Sequence, residues 1–257
     1  VMGYFKMTDK KIHIIVLLII FFSSFASGQV TKEQLFDNGL KVYEKGFYIT
    51  AIEYFDRVIE IDSTFAIAYY YKGLSYKKGT YADIHPEVVS NFKKAIQLDT
   101  IQNFWEAYFY LARVAQFTDT SFYNLYDKAI FFNPNNSDIY FQRGHYYCWK
   151  KMDYKKGVAD YEKAFQLDSK NVDALSGLGF YYYTQKKDLS KALDYYNRAI
   201  KLKQNDTGLL FNRAQILCKL DKKTKLKRDL NKLTELTEYY YTIENDCNIK
   251  LKKKNNP

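Results

Sequence analysis

The sequence predicts an all-α protein built from about six copies of a helix-turn-helix unit. Three observations carry this. Similar groups of residues return at a period near 34 along most of the chain. Gly and Pro are scarce, 11 and 3 in 257 residues, as expected of long helices joined by short turns, because both are costly inside a helix. No stretch shows the strict alternation of a half-buried strand.

The chain opens on an address rather than on folded structure. Lys6, Lys10 and Lys11 give a positive start, and an apolar stretch runs from Ile12 to Phe22 with only His13 interrupting it. Small residues follow, Ser23-Ser24-Phe25-Ala26-Ser27-Gly28, which place Ala26 and Gly28 at the −3 and −1 positions of a cleavage before Gln29. This is the order of a secretory signal peptide over residues 1–28. Its apolar core, about 11 residues, falls short of the roughly 20 that span a bilayer. Export to the periplasm or the medium is therefore expected, with an uncleaved N-terminal anchor as the alternative. Met7 is a second candidate start.

The repeats begin after the leader. Val58-Ile59-Glu60-Ile61-Asp62 returns as Ala95-Ile96-Gln97-Leu98-Asp99, Ala129-Ile130-Phe131-Phe132-Asn133, Ala164-Phe165-Gln166-Leu167-Asp168 and Ala199-Ile200-Lys201-Leu202-Lys203. Three residues before each stands an aromatic: Phe55, Phe92, Tyr126, Tyr161 and Tyr196. Upstream of each lies a small residue: Gly39, Gly73, Ala112, Gly144 and Gly179; Ala214, Leu230 and Leu233 form a degenerate sixth copy. The small residues mark where two helices approach closely, since a larger side chain would hold them apart.

Each copy carries two helical stripes. In the fourth, Tyr140, Arg143, Gly144 and Tyr147 share one face, and Val158, Tyr161, Ala164 and Phe165 share another, at three-and-four spacing. Turn and cap residues such as Asp62, Asp99 and Asp168 close the units. The irregular spacing falls between the small residue and the aromatic. In the second copy it leaves a loop, Tyr81-Ala82-Asp83-Ile84-His85-Pro86, with Pro86 suited to a first helical turn. At the far end, Tyr239, Ile243, Cys247 and Leu251 predict a capping helix within 237–257, followed by a basic tail.

These repeats resemble the tetratricopeptide repeat family over roughly Lys32 to Leu236. The best match to the family pattern is Leu178-Gly179-x-x-Tyr182 followed by Ala192, Tyr196 and Ala199. The family's Pro survives only as Pro134, and its usual Trp is replaced by Tyr69, Tyr108 and Tyr140. The resemblance implies a right-handed superhelical solenoid over 32–236 that binds a protein or peptide on its concave side. Family members line that groove with the fifth, ninth and twelfth residues of each first helix. The carry-over places Tyr70, Phe109, Phe141, His145, Phe180 and Phe211 as partner contacts, with Cys148 and Cys218 at twelfth positions. Aromatic rings bury much area at low entropy cost. The Lys-Asn-Lys-Arg clamp with which some members hold a C-terminal carboxylate is not matched here.

Other function classes fit less well. The sequence has no Gly-rich phosphate loop, nucleophile elbow or His-Glu metal spacing, so neither an enzyme nor a cofactor is expected. His145 and Cys148 stand one helical turn apart, but they occupy repeat positions with no orienting acid. Cys148, Cys218 and Cys247 make neither a disulfide framework nor a zinc knuckle, and the chain's three His are too few for a His-based metal site. The net charge of +10 concentrates late, at Lys222, Lys223, Lys225, Lys227, Arg228, Lys250, Lys252, Lys253 and Lys254. In an exported protein that charge points away from nucleic acid. The alternative reading is contact between this basic end and anionic lipid or glycan of the envelope.

Overall fold

The computed structural model describes residues 30–79, 85–99, 101, 103–118, 124–237, 239–244 and 248–253. The expected leader, Tyr81–Ile84 and Cys247 lie outside these residues. The described residues between 32 and 236 form a helical repeat fold, and the chain divides into two compact units, split after Gln102. The first unit holds α1 (Lys32–Glu44), α2 (Tyr48–Ile61), α3 (Ala66–Gly79) and α4 (Pro86–Leu98). The second holds α5 (Trp105–Thr118), α6 (Asn124–Phe132), α7 (Ser137–Trp149), α8 (Tyr154–Leu167), α9 (Val172–Tyr181), α10 (Leu189–Leu202), α11 (Thr207–Lys219) and α12 (Lys223–Leu236). Within each unit every helix packs on the next, so the sequence repeats are helix pairs.

Short polar residues start these helices. Thr31 forms a reciprocal capping box with Gln34 at the head of α1. Asn136, Asp153, Asn171, Asp188 and Asp206 each accept a bond from a first-turn amide of α7 through α11, which satisfies donors that a helix start otherwise leaves bare. His85 does the same for α4, with Pro86 in the first turn as expected. The Asp residues that close the units fold into turns of their own: Asp62 accepts from the Thr64 amide at 2.9 Å, Asp99 from Ile101 at 2.8 Å and Asp168 from Lys170 at 2.9 Å.

In the four repeats whose small residue is a glycine, that residue and the aromatic meet, as their pairing in sequence implies. A Cβ on Gly39 would lie 2.7 Å from the Phe55 ring, one on Gly73 2.7 Å from Phe92, and one on Gly179 2.9 Å from Tyr196. At Gly144 the obstacle is backbone as well, the Gly157 carbonyl at 2.8 Å. Phe55, Phe92 and Tyr196 are fully buried, so these three helix pairs close on a ring that only a glycine lets in.

Among the described residues, the turns inside four of the pairs use a left-handed residue: Gly46 (φ 84°), Met152 (φ 54°), Lys187 (φ 58°) and Asp221 (φ 51°). In the fifth unit α9 runs on into a π-helical turn, Tyr182–Lys186.

A second set of contacts ties one pair to the next. Arg143 on α7 bonds Asp160 on α8 through Nε (2.8 Å) and an Nη (2.7 Å), and reaches Asp127 on α6 at 2.6 Å. Arg213 on α11 repeats this with Asp229 on α12 (2.8 and 2.7 Å) and Asn197 on α10 (2.9 Å). In the first unit Lys72 on α3 pairs with Asp56 on α2 at 2.5 Å.

The C-terminal end departs from the expectation. Where a capping helix was predicted, residues 239–244 and 248–253 form an antiparallel strand pair, β1 (Tyr239–Glu244) and β2 (Asn248–Lys253), in the register Tyr241↔Leu251 and Ile243↔Ile249. β1 lies against α12. The run Tyr-Tyr-Tyr-Thr-Ile consists of residue types that favour a pleated surface, and this outweighs the four-residue spacing. Among the described residues no helix is long and apolar enough to cross a membrane.

Candidate functional site

In the second unit the first helices of three consecutive pairs open a cavity of about 290 Å³. Phe141, His145 and Trp149 come from α7 at successive four-residue steps, so one stripe of that helix forms a wall. From α9 come Asp173, Ser176, Gly177 and Phe180; α11 adds Asn212. The floor is Tyr161 of α8 and Tyr196 of α10, both buried.

The rings form a connected lining. Phe141 and His145 have centroids 6.2 Å apart, His145 and Trp149 5.9 Å, Trp149 and Phe180 5.2 Å, and Phe141 stacks on Tyr161 at 5.6 Å. Such separations suit aromatic pairs. Trp149 nevertheless keeps 49% of its surface exposed. Gly177 makes room, since a Cβ there would stand 2.9 Å from the Tyr161 ring.

One polar group sits at the floor. The Tyr196 hydroxyl is buried without a hydrogen bond of full geometry, with Ser176 and Asn212 the nearest groups able to bond it. Burial pushes this phenol well above its ordinary range, so it stays protonated. His145 meets solvent along part of its ring, yet partial burial lowers the imidazole below its ordinary 6.5, which keeps it neutral at pH 7. Asp173, exposed in the first turn of α9, is the only formal charge on the lining.

The six expected contact residues are not gathered in one place. Phe141, His145 and Phe180 line the cavity. Phe109 is half-buried, with Tyr126 at 6.4 Å and Arg113 over its ring at 6.0 Å. Phe211 packs onto the core formed by α9 to α12. Tyr70 belongs to the first unit and is buried there, 8% exposed, with its ring 5.9 Å from Phe92. Gly73 lets α4 approach so closely that this face of α3 becomes core.

The twelfth position of α7 is also corrected. Cys148 turns inward against Tyr161 and Gly157, where an added Cβ would overlap its sulfur, and Trp149 takes the place facing the cavity. Burial pushes the Cys148 thiol up while it lowers His145, the opposite of what a thiolate-imidazolium pair needs. Cys148 is thus packing, as the repeat position suggested. Cys218, by contrast, is disulfide-bonded. Among the described residues no group of His, Cys, Asp and Glu gathers to hold a metal.

A second feature lies at the C-terminal end. Lys223, Lys227, Arg228 and Lys232 of α12 border an open cleft of about 620 Å³, with Glu235 as the one opposing charge. Arg228 and Lys232 also reach a neighbouring cleft beside Lys201 of α10.

Residues 137–171 and 172–206, the pairs α7/α8 and α9/α10, each match the tetratricopeptide repeat family model. Among solved structures the chain is similar to YrrB, described as a tetratricopeptide protein with an unusual peptide-binding site (19% identity, TM-score 0.60, covering 74% of this chain and 96% of that one). It is also similar to a tetratricopeptide repeat protein from Parabacteroides merdae (16%, 0.58, 80% and 80%) and to MamA (23%, 0.52, 65% and 94%). At these identities the likeness shows the fold alone. No curated protein matches in sequence.

Proposed function

We propose, for a chain whose residues 137–171 and 172–206 are tetratricopeptide repeats, a non-enzymatic scaffold that holds an extended segment of a partner protein in the cavity of α7, α9 and α11. The observation that carries this is the connected lining of Phe141, His145, Trp149 and Phe180 above the buried Tyr196 hydroxyl. Surface aromatics grouped round a concavity are the usual anchors of a protein contact, and a polar group among them fixes a bound backbone. The peptide-binding site named for YrrB supports the same reading by analogy of fold.

The location proposed is the periplasm or the medium. The leader pattern supports it, and so does the disulfide at Cys218, since such bonds persist in oxidising compartments. Cell fractionation with N-terminal sequencing tests it: a mature chain starting at Gln29 in the exported fraction is expected, and a full-length chain retained in the cytoplasm refutes it.

Pull-down from the envelope fraction of the native host tests the cavity, comparing wild type with Phe141→Ala/Phe180→Ala. Loss of a captured protein by the folded variant is expected, and capture of the same proteins by both forms overturns the reading. The basic cleft on α12 favours a second reading, contact with anionic lipid or glycan. Such contact weakens steeply as salt rises, whereas an aromatic cavity is little affected.

A further inference from the structure

We propose that the α7/α9/α11 cavity is built for a cationic side chain, a lysine or an arginine of the partner segment, held between aromatic faces and Asp173. This deepens the peptide-scaffold reading and rests on it.

The whole chain carries +10, yet the cavity lining contains no Lys or Arg and a single carboxylate, Asp173. His145 adds no positive charge at neutral pH. Lys203, a cation that feels the charge of Asp173, is committed to Asp206 at 2.8 Å. A negative site has thus been kept within a positive protein.

Elsewhere in this unit aromatic faces are matched by the chain's own cations: Lys156 over Tyr147 at 5.3 Å, Lys191 over Tyr182 at 5.1 Å, Lys219 over Tyr183 at 5.0 Å and Arg198 over Phe165 at 4.5 Å. Phe141, Trp149 and Phe180 carry no such internal partner among the described residues. A ring face attracts a cation, Trp most strongly, and Trp149 is the half-exposed member of the set. The guanidinium plane also stacks on rings.

Size and polarity agree. About 290 Å³ lies at the lower end for a ligand pocket, the scale of one large side chain with its adjoining backbone. The Tyr196 hydroxyl, with Ser176 and Asn212, offers hydrogen bonds to that backbone or to guanidinium nitrogens. An acidic side chain would meet Asp173 and no counter-charge.

Selection of a random peptide display library on the full chain tests the inference, repeated with Asp173→Asn, Trp149→Leu and Phe141→Ala/Phe180→Ala. Asp173 and Trp149 are exposed, so their variants fold. The expected result is enrichment of Arg or Lys at one fixed position. Synthetic copies of the selected peptide should then lose affinity about 3- to 30-fold with Trp149→Leu, the range of one cation-ring contact, and about 2- to 5-fold with Asp173→Asn, the range of an exposed ion pair. Peptides selected without Arg or Lys, but lost with Phe141→Ala/Phe180→Ala, overturn the cation site and leave the peptide scaffold standing. No enrichment, or enrichment indifferent to every variant, overturns both.

Discussion

Replacing Arg213 by Met tests the contacts that tie the helix pairs together. Arg213 is 9% exposed and Asp229 1%, joined by two bonds of 2.8 and 2.7 Å. Removing the guanidinium leaves the Asp229 carboxylate buried with no counter-charge. Breaking a pair of this kind costs about 3–5 kcal/mol, most of it the desolvated charge left behind. The third partner, Asn197, is exposed and simply returns to water. The double variant Arg213→Met/Asp229→Leu removes both charges and should lie within about 1 kcal/mol of wild type. Asp127→Ala breaks a bond of 2.6 Å, but its side chain is 61% exposed, so the loss there should stay below about 1 kcal/mol. Urea denaturation followed by far-UV circular dichroism measures all three. A single Arg213→Met that costs less than about 1 kcal/mol, or a double variant no more stable than it, refutes the reasoning.

Three further outcomes follow from features already described. Gly144→Ala should cost about 1–3 kcal/mol, because its Cβ meets backbone at 2.8 Å and overpacking of this kind is not relieved; Gly46→Ala has open space and should cost about 1 kcal/mol, from its positive φ alone, and thermal melts that rank the two in reverse order count against the packing account. Hydrogen bonds from Lys32 and Thr64 hold the Asp62 carboxyl at about 2, below its ordinary 3.8. The stabilisation they give is present above pH 4 and lost as pH falls through 2, so an NMR titration should show the Asp62 midpoint rise in Lys32→Met, and an unchanged midpoint refutes the pairing. Alkylation of the denatured, unreduced chain should label Cys148 and spare Cys218; mass spectrometry that finds Cys218 labelled removes the disulfide.

Much of the fold was legible because the period of the chain and the period of the structure coincide. Gly39 with Phe55, Gly73 with Phe92 and Gly179 with Tyr196 are paired in the sequence, and each pair is a contact. The turn acids Asp62, Asp99 and Asp168 act through local bonds, which spacing also reveals. Half of the expected contact set lies in the cavity, since Phe141, His145 and Phe180 fall where a family position transfers without distortion. Trp149 escaped because counting to the twelfth residue of α7 selects Cys148. The stripe that opens outward instead advances by fours from Phe141, and that step was visible in the sequence. Tyr70 could not be assigned from its own helix, because what buries it is the approach of α4. The strand pair was missed for a geometrical reason: residues four apart share a face of a helix, and, four being even, they share a face of a strand too. Only the propensity of Tyr239 to Ile243 distinguished the two.

The cationic ties recur at Lys72, Arg143 and Arg213, in alternate helix pairs, and the intervening first helices carry Leu111 and Leu178 at the matching place. This gives the chain a rule for being shortened or lengthened. Excising 137–171, one whole repeat, brings Leu178 to the position that faces Asp127, and the junction loses its tie. Excising 137–206, two repeats, brings Arg213 there, and the junction closes as before. For recombination, whether in a genome or at a bench, the interchangeable part of this protein is two repeats rather than one.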